Sequence, residues 1–507
     1  MHSTGFDLTR RCFAKCLTGG AVASPGLFGD EPAPQAKCDL LPVSPSDISY
    51  LMADRAQRSA TLKIKQEPGK EGVKRFWMEE WRNPAQFFDW KVEVAEPGDY
   101  EITLMVSAVP STRIRVRGPR NTVICETTWA GKFNPGYDWD RIKLSTPLSL
   151  SKGQTTIRAQ LEKPVDGKVG AALKSIELLN VRERPRMDQR IGAFRSDTRW
   201  LREAQFGLMC QCGEWAYPRH GQHKPWPGMV DNFDAARFAD MVDSTGAGYV
   251  AWSATWATYF FPAPIAAIDR ILPGRISRRD LIGELADALA KRSIRLILYY
   301  HPGHETGPEN GSWWSKNWTS EDDKSLFFDN WCSIISEVGE RYTGRLAGWM
   351  FDDDLVYYPA PYPRLGQAAK AGSPSRIVSY NSWIQPRGTD FQDFQFGEGF
   401  MGDDRLPVGG TGIWQAGPMK GLQAHGNFQM DGPDWGIRHA DTEISAPYLT
   451  SEKAIRIGLD AAARNEPLSW NLLMYNDGAV SQRSLDVLRN MGHAVRTKYP
   501  RQKLRST

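Results

Sequence analysis

Short apolar runs alternate with amphipathic segments of helical length from residue 195 to residue 507. GYVAWSAT (248–255) and LAGWMF (346–351) have strand length, and SRRDLIGELADALAKRS (277–293) carries a helical stripe with Ser277 as its expected N-cap. Strands separated by helices pair in parallel. A pattern of about 300 residues predicts an α/β fold with one (β/α)8-type barrel, and an open doubly wound sheet is the alternative. No glycine-rich phosphate motif follows a strand, which argues against a nucleotide enzyme.

The region from residue 39 to residue 185 has a repeat of two. KVEVAEPGDYEITLMVSA (91–108) alternates apolar and polar residues around a Pro-Gly-Asp turn. Short strands with regular turns predict an all-β sandwich (jelly-roll) domain, with a hairpin at this turn. FWMEEWRNPAQFFDWKVEV (76–94) is similar to the N-terminal jelly-roll modules of exported carbohydrate enzymes, which implies sugar binding; a purely structural sandwich is the alternative. The charged stretch 181–194 is the expected connector between the two domains.

Residues 1–38 have the layout of an export signal and linker. Basic TRRCFAK (9–15) precedes a mildly apolar stretch, and Arg10 and Arg11 followed by Phe13 resemble a twin-arginine motif. This predicts an exported protein, periplasmic or extracellular, and a basic disordered N-terminus is the alternative. A net charge of +4 is too weak to indicate nucleic acid as a partner. No apolar run approaches the roughly 20 residues of a membrane span.

Three consecutive carboxylates, Asp352 to Asp354, follow the apolar run LAGWMF. Unpaired carboxylates do not enter a core, so the strand is expected to end at a polar cleft. Barrel strands deliver catalytic groups to such a cleft at their C-terminal ends. A solvated acidic loop is the alternative. If the strand stays regular, Asp352 and Asp353 point to opposite faces, and Asp354 shares a face with Asp352.

Six fragments in order resemble the α-L-fucosidases of glycoside hydrolase family 29. They are QFGLMCQCGEWAYP (205–218), GAGYVAWSATWATYFF (246–261), RRDLIGELADALAKRSIRLILYYH (278–301), GRLAGWMFDDD (344–354), RGTDFQDFQFGEG (387–399) and SWNLLMYNDGAVSQRSLDVLRNMG (469–492). The resemblance implies a barrel enzyme with two catalytic carboxyl groups. By position in the motifs, Asp352 is the nucleophile and Glu398 the acid/base.

The resemblance implies no metal and no cofactor. An alternative interpretation is that Asp352, Asp353 and Asp354 form a metal cluster with His301, because hard oxygen ligands suit calcium. The three acidic residues are contiguous, however, and are not spaced as in a known calcium loop.

The chain differs from the family at the positions where the family's histidines bind fucose. Gln211 stands in place of the first-strand histidine, and Trp256 and Ala257 replace a histidine pair. Because a site built to bond particular hydroxyls rejects other sugars, these changes leave the identity of the sugar open. The expected substrate-binding residues are Gln211, Glu214, Trp256, His301, Asp354 and Trp383.

The sequence therefore predicts an exported O-glycoside hydrolase that cleaves an α-L-fucoside or a related α-glycoside, with retention. Its expected partner is an oligosaccharide, polysaccharide or glycoconjugate substrate. One alternative is a non-catalytic carbohydrate-binding protein on the same frame. Another is a hydrolase of a different sugar, such as an L-galactoside, or of internal fucan linkages.

Overall fold

A computed structural model describes residues 40–66, 75–128, 138–166, 170–255, 259–302, 324–381, 387–398, 405–432 and 434–500. The export signal expected at 1–38 lies outside these residues, as do Trp256 and Trp383. Within the described parts of the chain, no helix has both the length and the apolar character needed to cross a membrane.

The described residues before 181 form two sheets of mainly antiparallel strands. The first sheet has the order β1-β6-β12-β8-β9 with β3 on β6, and the second has the order β10-β7-β13-β5-β4 with β11 on β7 and β2 on β13. The strands are β1 Leu41–Val43, β2 Ser49–Met52, β3 Gln57–Arg58, β4 Lys63–Gln66, β5 Arg75–Trp81, β6 Phe87–Val94, β7 Gly98–Ser107, β8 Arg113–Arg117, β9 Thr122–Glu126, β10 Asp140–Lys143, β11 Leu148–Leu150, β12 Gly153–Leu161 and β13 Ala171–Asn180.

Alternate side chains of both sheets meet in one buried cluster. Trp90 and Val92 of β6 contribute to it from one sheet, and Ile102 and Leu104 of β7 contribute from the other. The hairpin expected at 91–108 is wrong, because β6 and β7 belong to different sheets and the turn between them carries the chain across the core. The jelly-roll topology and the sugar-binding role of this region stay predictions.

The expected connector is a helix, α1 Arg184–Phe194. Its first residue is tied to the second sheet, because the Arg184 guanidinium lies 2.6 Å from the Glu101 carboxylate of β7. Pro185 at the first helical turn fits a helix start, where its missing NH is not needed. Only Met187 is buried in α1, so the helix lacks the apolar stripe by which a sequence pattern reveals one.

The described residues after 195 form a parallel sheet of seven strands. Described helices lie between consecutive strands except between β18 and β19, so the expected alternation is confirmed over most of this region. The strands are β14 Phe206–Cys210, β15 Tyr249–Thr255, β16 Arg295–Tyr300, β17 Leu346–Phe351, β18 Ile377–Tyr380, β19 Gly426–Gln429 and β20 Leu468–Leu472. The helices are α2 Arg199–Ala204, α3 Gly228–Asp231, α4 Ala235–Ser244, α5 Ala266–Ile271, α6 Leu281–Ala290, α7 Ser325–Tyr342, α8 Asp354–Tyr357, α9 Tyr362–Ala369, α10 Ser451–Ala463 and α11 Gln482–Lys498.

A closed (β/α)8 barrel is not shown. The sheet has the order β18-β17-β16-β15-β14-β20-β19, and its two edge strands are not paired with each other. Between these edges runs the segment 393–398, where the Asp393 NH donates to the Val378 carbonyl at 2.7 Å and the Asn427 NH donates to the Gly397 carbonyl at 2.8 Å. Gly397 has φ +74°, which breaks the extended conformation, so the segment makes only isolated bridges.

Candidate active site

Polar side chains lie on the inner face of the parallel sheet, at the C-terminal ends of its strands. The inner face carries its own apolar cluster, which includes Met209, Tyr299, Met350 and Phe396. Because side chains alternate along an extended chain, the residue two positions later points to the same side. Those later positions in the strands are Gln211, His301 and Asp352. Asn381 follows β18, and Glu398 ends the segment 393–398.

Asp352 follows the last residue of β17, where the regular ladder ends. Its carboxylate accepts hydrogen bonds from the Asn381 amide at 2.8 Å and from the Asp353 NH at 2.9 Å. The Tyr299 hydroxyl donates to its other oxygen. Burial and, next, the charge of Asp353 raise the pKa of Asp352 to about 6.

Glu398 stands at the end of the segment 393–398 and faces the same amide. Its carboxyl oxygen lies 2.7 Å from Asn381 Nδ2. Burial and, next, the charge of Asp352 raise the pKa of Glu398 to about 8. At neutral pH the pair is therefore arranged to hold one proton, with Glu398 as its holder.

Asn381 joins the two carboxyl groups and fixes their separation. One nitrogen lies 2.8 Å from Asp352 Oδ1 and 2.7 Å from Glu398 Oε2, so these two oxygens are at most about 5.5 Å apart. Retaining glycosidases place their carboxyl groups about 5–5.5 Å apart, and inverting enzymes about 6.5–9.5 Å. The Asn381 backbone is held on both sides, because its NH donates to the Phe351 carbonyl at 2.7 Å and its carbonyl accepts from the Asp354 NH at 2.8 Å.

Sequence reasoning missed Asn381 and Tyr299 as partners of the carboxyl pair. Asn381 follows β18 directly, as Asp352 follows β17, and this placement after a strand was the available signal. Tyr299 shares the inner face with His301, two positions later in the chain. What the sequence could not supply was the register that sets the ends of β16, β17 and β18 side by side.

His301 and Asp353 form a buried ion pair beside Asp352. The distance from His301 Nε2 to Asp353 Oδ2 is 3.0 Å. Asp353 adopts a left-handed conformation with φ +63°, so the strand does not stay regular. The expectation that Asp352 and Asp353 point to opposite faces therefore does not hold.

The ligand atoms of His301, Asp352 and Asp353 lie within 4.8 Å of one another, which is close enough to hold a cation. One imidazole and two carboxylates are common metal ligands. The contact between His301 and Asp353 at 3.0 Å already gives each side chain a partner.

Asp354 belongs to the other side of the strand end. It begins α8, and its carboxylate accepts a hydrogen bond from the Tyr362 hydroxyl. Tyr362 is part of the outer core between the sheet and the helices. The structure thus brings Asp352, Glu398 and His301 together, whereas Asp354 contacts the helical layer. Its role in substrate binding stays a prediction.

Gln211 and Glu214 follow β14, which is separated from β17 by β15 and β16 in the sheet. Gln211 is buried, with 1% of its surface exposed. Glu214 is partly buried, and burial raises the pKa of its carboxyl to about 7 against the opposing effect of Arg275 and Arg438. Its backbone carbonyl accepts a hydrogen bond from His223 Nε2 at 2.6 Å. Both residues stand at the C-terminal edge of the sheet, as expected for a substrate-binding wall.

No protein-family model and no curated protein match this chain. Among solved structures, the unliganded α-L-fucosidase AlfC from Lactobacillus casei is 17% identical, over 59% of this chain and 98% of its own, with a TM-score of 0.42. The endo-fucoidan hydrolase MfFcnA4 from glycoside hydrolase family 107 is 15% identical, over 58% of this chain and 53% of its own, with a TM-score of 0.44. At this degree of similarity, the function proposed below rests on the residues of the site.

Proposed function

We propose that this chain is an exported glycoside hydrolase that cleaves an α-L-fucoside or a closely related α-glycoside with retention of configuration. The observation that carries the proposal is the Asn381 amide shared by Asp352 and Glu398. It keeps one oxygen of each carboxyl group within about 5.5 Å of the other, which supports a double displacement over the wider spacing of inverting enzymes.

In the first step, ionised Asp352 attacks the anomeric carbon and forms a glycosyl ester, while the bond from that carbon to the departing oxygen breaks. Glu398 gives its proton to this oxygen. In the second step, Glu398 takes a proton from water, whose oxygen attacks the anomeric carbon. The ester bond breaks, the sugar leaves with the water oxygen, and Asp352 regains its charge.

The hydrogen bonds and charges around each carboxyl group support these roles. Asp352 accepts from Tyr299, Asn381 and the Asp353 NH, and donors of this kind stabilise the charged form. Glu398 is placed beside an ionised neighbour, which favours its protonated form. The two carboxyl groups therefore differ in proton affinity, as a nucleophile and an acid must.

The sugar and the location are proposed from the sequence. The fucosidase-like motifs contain both Asp352 and Glu398, which supports an α-L-fucoside. The replacement of the family's histidines by Gln211 and Trp256 supports a related sugar such as an L-galactoside. The twin-arginine-like signal in the first 38 residues supports export.

A hydrolysis screen tests the proposal. Residues 39–507 would be offered aryl α-L-fucoside, aryl α-L-galactoside and a fucose-rich polysaccharide, and the anomer released first would be read by NMR. We expect turnover with retention, which Asp352→Asn abolishes and Asp460→Asn on the exposed face of α10 preserves. An inverted product, or full activity in Asp352→Asn, would contradict the assignment. Binding without turnover would favour a carbohydrate-binding protein instead.

A further inference from the structure

Three side-chain amides line the inner face of the sheet on adjacent strands. We call Gln211, Asn427 and Asn471 the amide wall; they lie after β14, in β19 and in β20. Asn471 is directly opposite Met209 of β14 in the ladder, and Asn427 Nδ2 lies 3.2 Å from the sulfur of the same methionine. Each of the three residues is 1% exposed. The three residues are therefore staggered diagonally across β14, β20 and β19: Asn427 lies two positions before the residue opposite Asn471, and Gln211 lies two positions after Met209.

The oxygens of the amide wall have no donor. Gln211 Oε1, Asn427 Oδ1 and Asn471 Oδ1 are buried and accept no hydrogen bond from any part of the chain that the structure describes. Folded proteins satisfy nearly all buried polar atoms, because an unmet acceptor loses its water without compensation. Three such oxygens on a run of three adjacent strands therefore point to a missing donor group.

The wall reaches the carboxyl pair at Glu398. Glu398 forms an isolated parallel bridge with Asn427, and the Asn427 NH donates to the Gly397 carbonyl at 2.8 Å. The acid and the first amide of the wall are therefore neighbours in the ladder. A sugar whose glycosidic oxygen lies at Glu398 would extend its ring toward this group.

We propose that the amide wall recognises the sugar ring by accepting hydrogen bonds from its hydroxyl groups. This inference rests on the proposed function of the same site and names its specificity-determining residues, Asn427 and Asn471 together with Gln211. Amide oxygens accept from hydroxyl donors. The ligand class is a neutral sugar with neighbouring free hydroxyls, because the charge of Asp352 beside Glu398 disfavours an anionic substituent near this site.

Near-isosteric variants separate recognition from a structural role. In Asn427→Leu and Asn471→Leu the buried oxygen is removed, so the unfolding midpoint without sugar is expected to stay equal or rise. Asn180→Leu is the matched control, since Asn180 is also buried but its oxygen accepts from the Arg182 NH at 3.0 Å. We expect the control to lower the unfolding midpoint and to leave sugar binding unchanged.

Binding would be measured by calorimetry with L-fucose, L-galactose and the sulfate ester of each. We expect the neutral sugars to bind and the sulfate esters to bind less, with Kd rising about tenfold in each wall variant, the effect of losing one hydrogen bond. For a sugar that is turned over, KM should rise more than kcat falls.

Three results would overturn the inference. The first is wild-type affinity in both wall variants, and the second is a wild-type chain that binds neither L-fucose nor L-galactose. A fall in the unfolding midpoint of both variants to that of the control would also overturn it, since it would show structural partners. If the wild-type chain binds a neutral sugar without cleaving it and the wall variants lose that binding, the proposed hydrolysis fails while the role of the amide wall stands.

Discussion

At the scale of single residues, the chemistry of the site depends on which donors face each carboxyl group. The acidic run at 352–354 gave three candidates, and the structure separates them by their partners. Asp352 faces Asn381 and Tyr299, Asp353 faces His301, and Asp354 faces Tyr362. The motif position of Asp352 could be predicted from the sequence. The separation could not, because it depends on the left-handed turn at Asp353 and on neighbouring strands.

Asn381→Leu removes the donor shared by the carboxyl pair. Because this hydrogen bond lowers the pKa of both Asp352 and Glu398, its loss should raise both pKa values and move both limbs of the pH profile of kcat/KM to higher pH. We expect kcat/KM at neutral pH to fall about a hundredfold, as for loss of a preorganised donor. Asn490→Leu on the exposed face of α11 is the control. An unshifted profile would show that Asn381 only fills space.

Glu398→Gln tests the raised pKa through stability. The pKa of this carboxyl is about 8 in the folded protein and near 4.5 in the unfolded chain. Its contribution to folding stability is therefore largest below the unfolded-state pKa and is lost as the pH rises through the folded-state pKa. The neutral amide does not titrate. The variant should therefore gain stability relative to the wild type between pH 5 and pH 9, measured by urea unfolding at both ends. The exposed Glu452→Gln should show no such gain.

At the scale of elements, strong hydrophobic periodicity located helices and strands correctly. Elements that depend on special backbone conformations could not be located in this way. The apolar strands β15 to β17 and helix α6 lie where the pattern places them, although Asp280 caps α6 through the Gly283 NH at 2.8 Å and not Ser277. Strand β19 was missed because its sequence, GNFQ, turns polar residues inward. The segment 393–398 was missed as a neighbour of β18 because Gly397 prevents a regular strand.

Gly397→Ala should disrupt the segment that carries Glu398. The residue has φ +74°, and an added Cβ would lie 1.6 Å from the His425 carbonyl oxygen, so the backbone must move. Gly409 also has φ +74° but open space around the added atom, which makes Gly409→Ala the matched control for strain alone. We expect the control to lose about 1 kcal/mol of unfolding free energy and Gly397→Ala to lose about 3 kcal/mol or more. Equal losses would show that the close approach to His425 has no cost.

At the scale of the whole molecule, the two antiparallel sheets are joined to the parallel sheet by buried charges. The Arg141 guanidinium of β10 lies 2.7 Å from Glu177 of β13 and 3.2 Å from Asp390, which precedes the segment 393–398. Arg141 also holds the pKa of Asp390 well below its usual range. The sequence predicted two kinds of sheet and a boundary near 190. It did not predict this contact, which joins residues about 250 positions apart.

Arg141→Met should weaken the contact between these regions. The variant leaves Glu177 without this partner and Asp390 with Arg387 alone, and breaking a buried pair typically costs about 3–5 kcal/mol. The control is Arg115→Met. Arg115 pairs with Glu162 from an exposed position, so loss of this ion pair should cost about 1 kcal/mol or less. Thermal unfolding would measure both. Matching midpoints for the two variants would show that the buried contact contributes no more than a surface pair.

The proximity of Asp352 and Glu398 has a consequence for the order of events in a catalytic cycle. Part of the proton affinity of Glu398 comes from the negative charge of Asp352. In the proposed mechanism, that charge is gone once Asp352 is esterified to the sugar, so Glu398 releases its proton more readily. The same carboxyl group is then a base at the moment when water must be activated. Return of the free carboxylate restores the acid, so the charge of one residue sets the protonation of the other twice in each turnover.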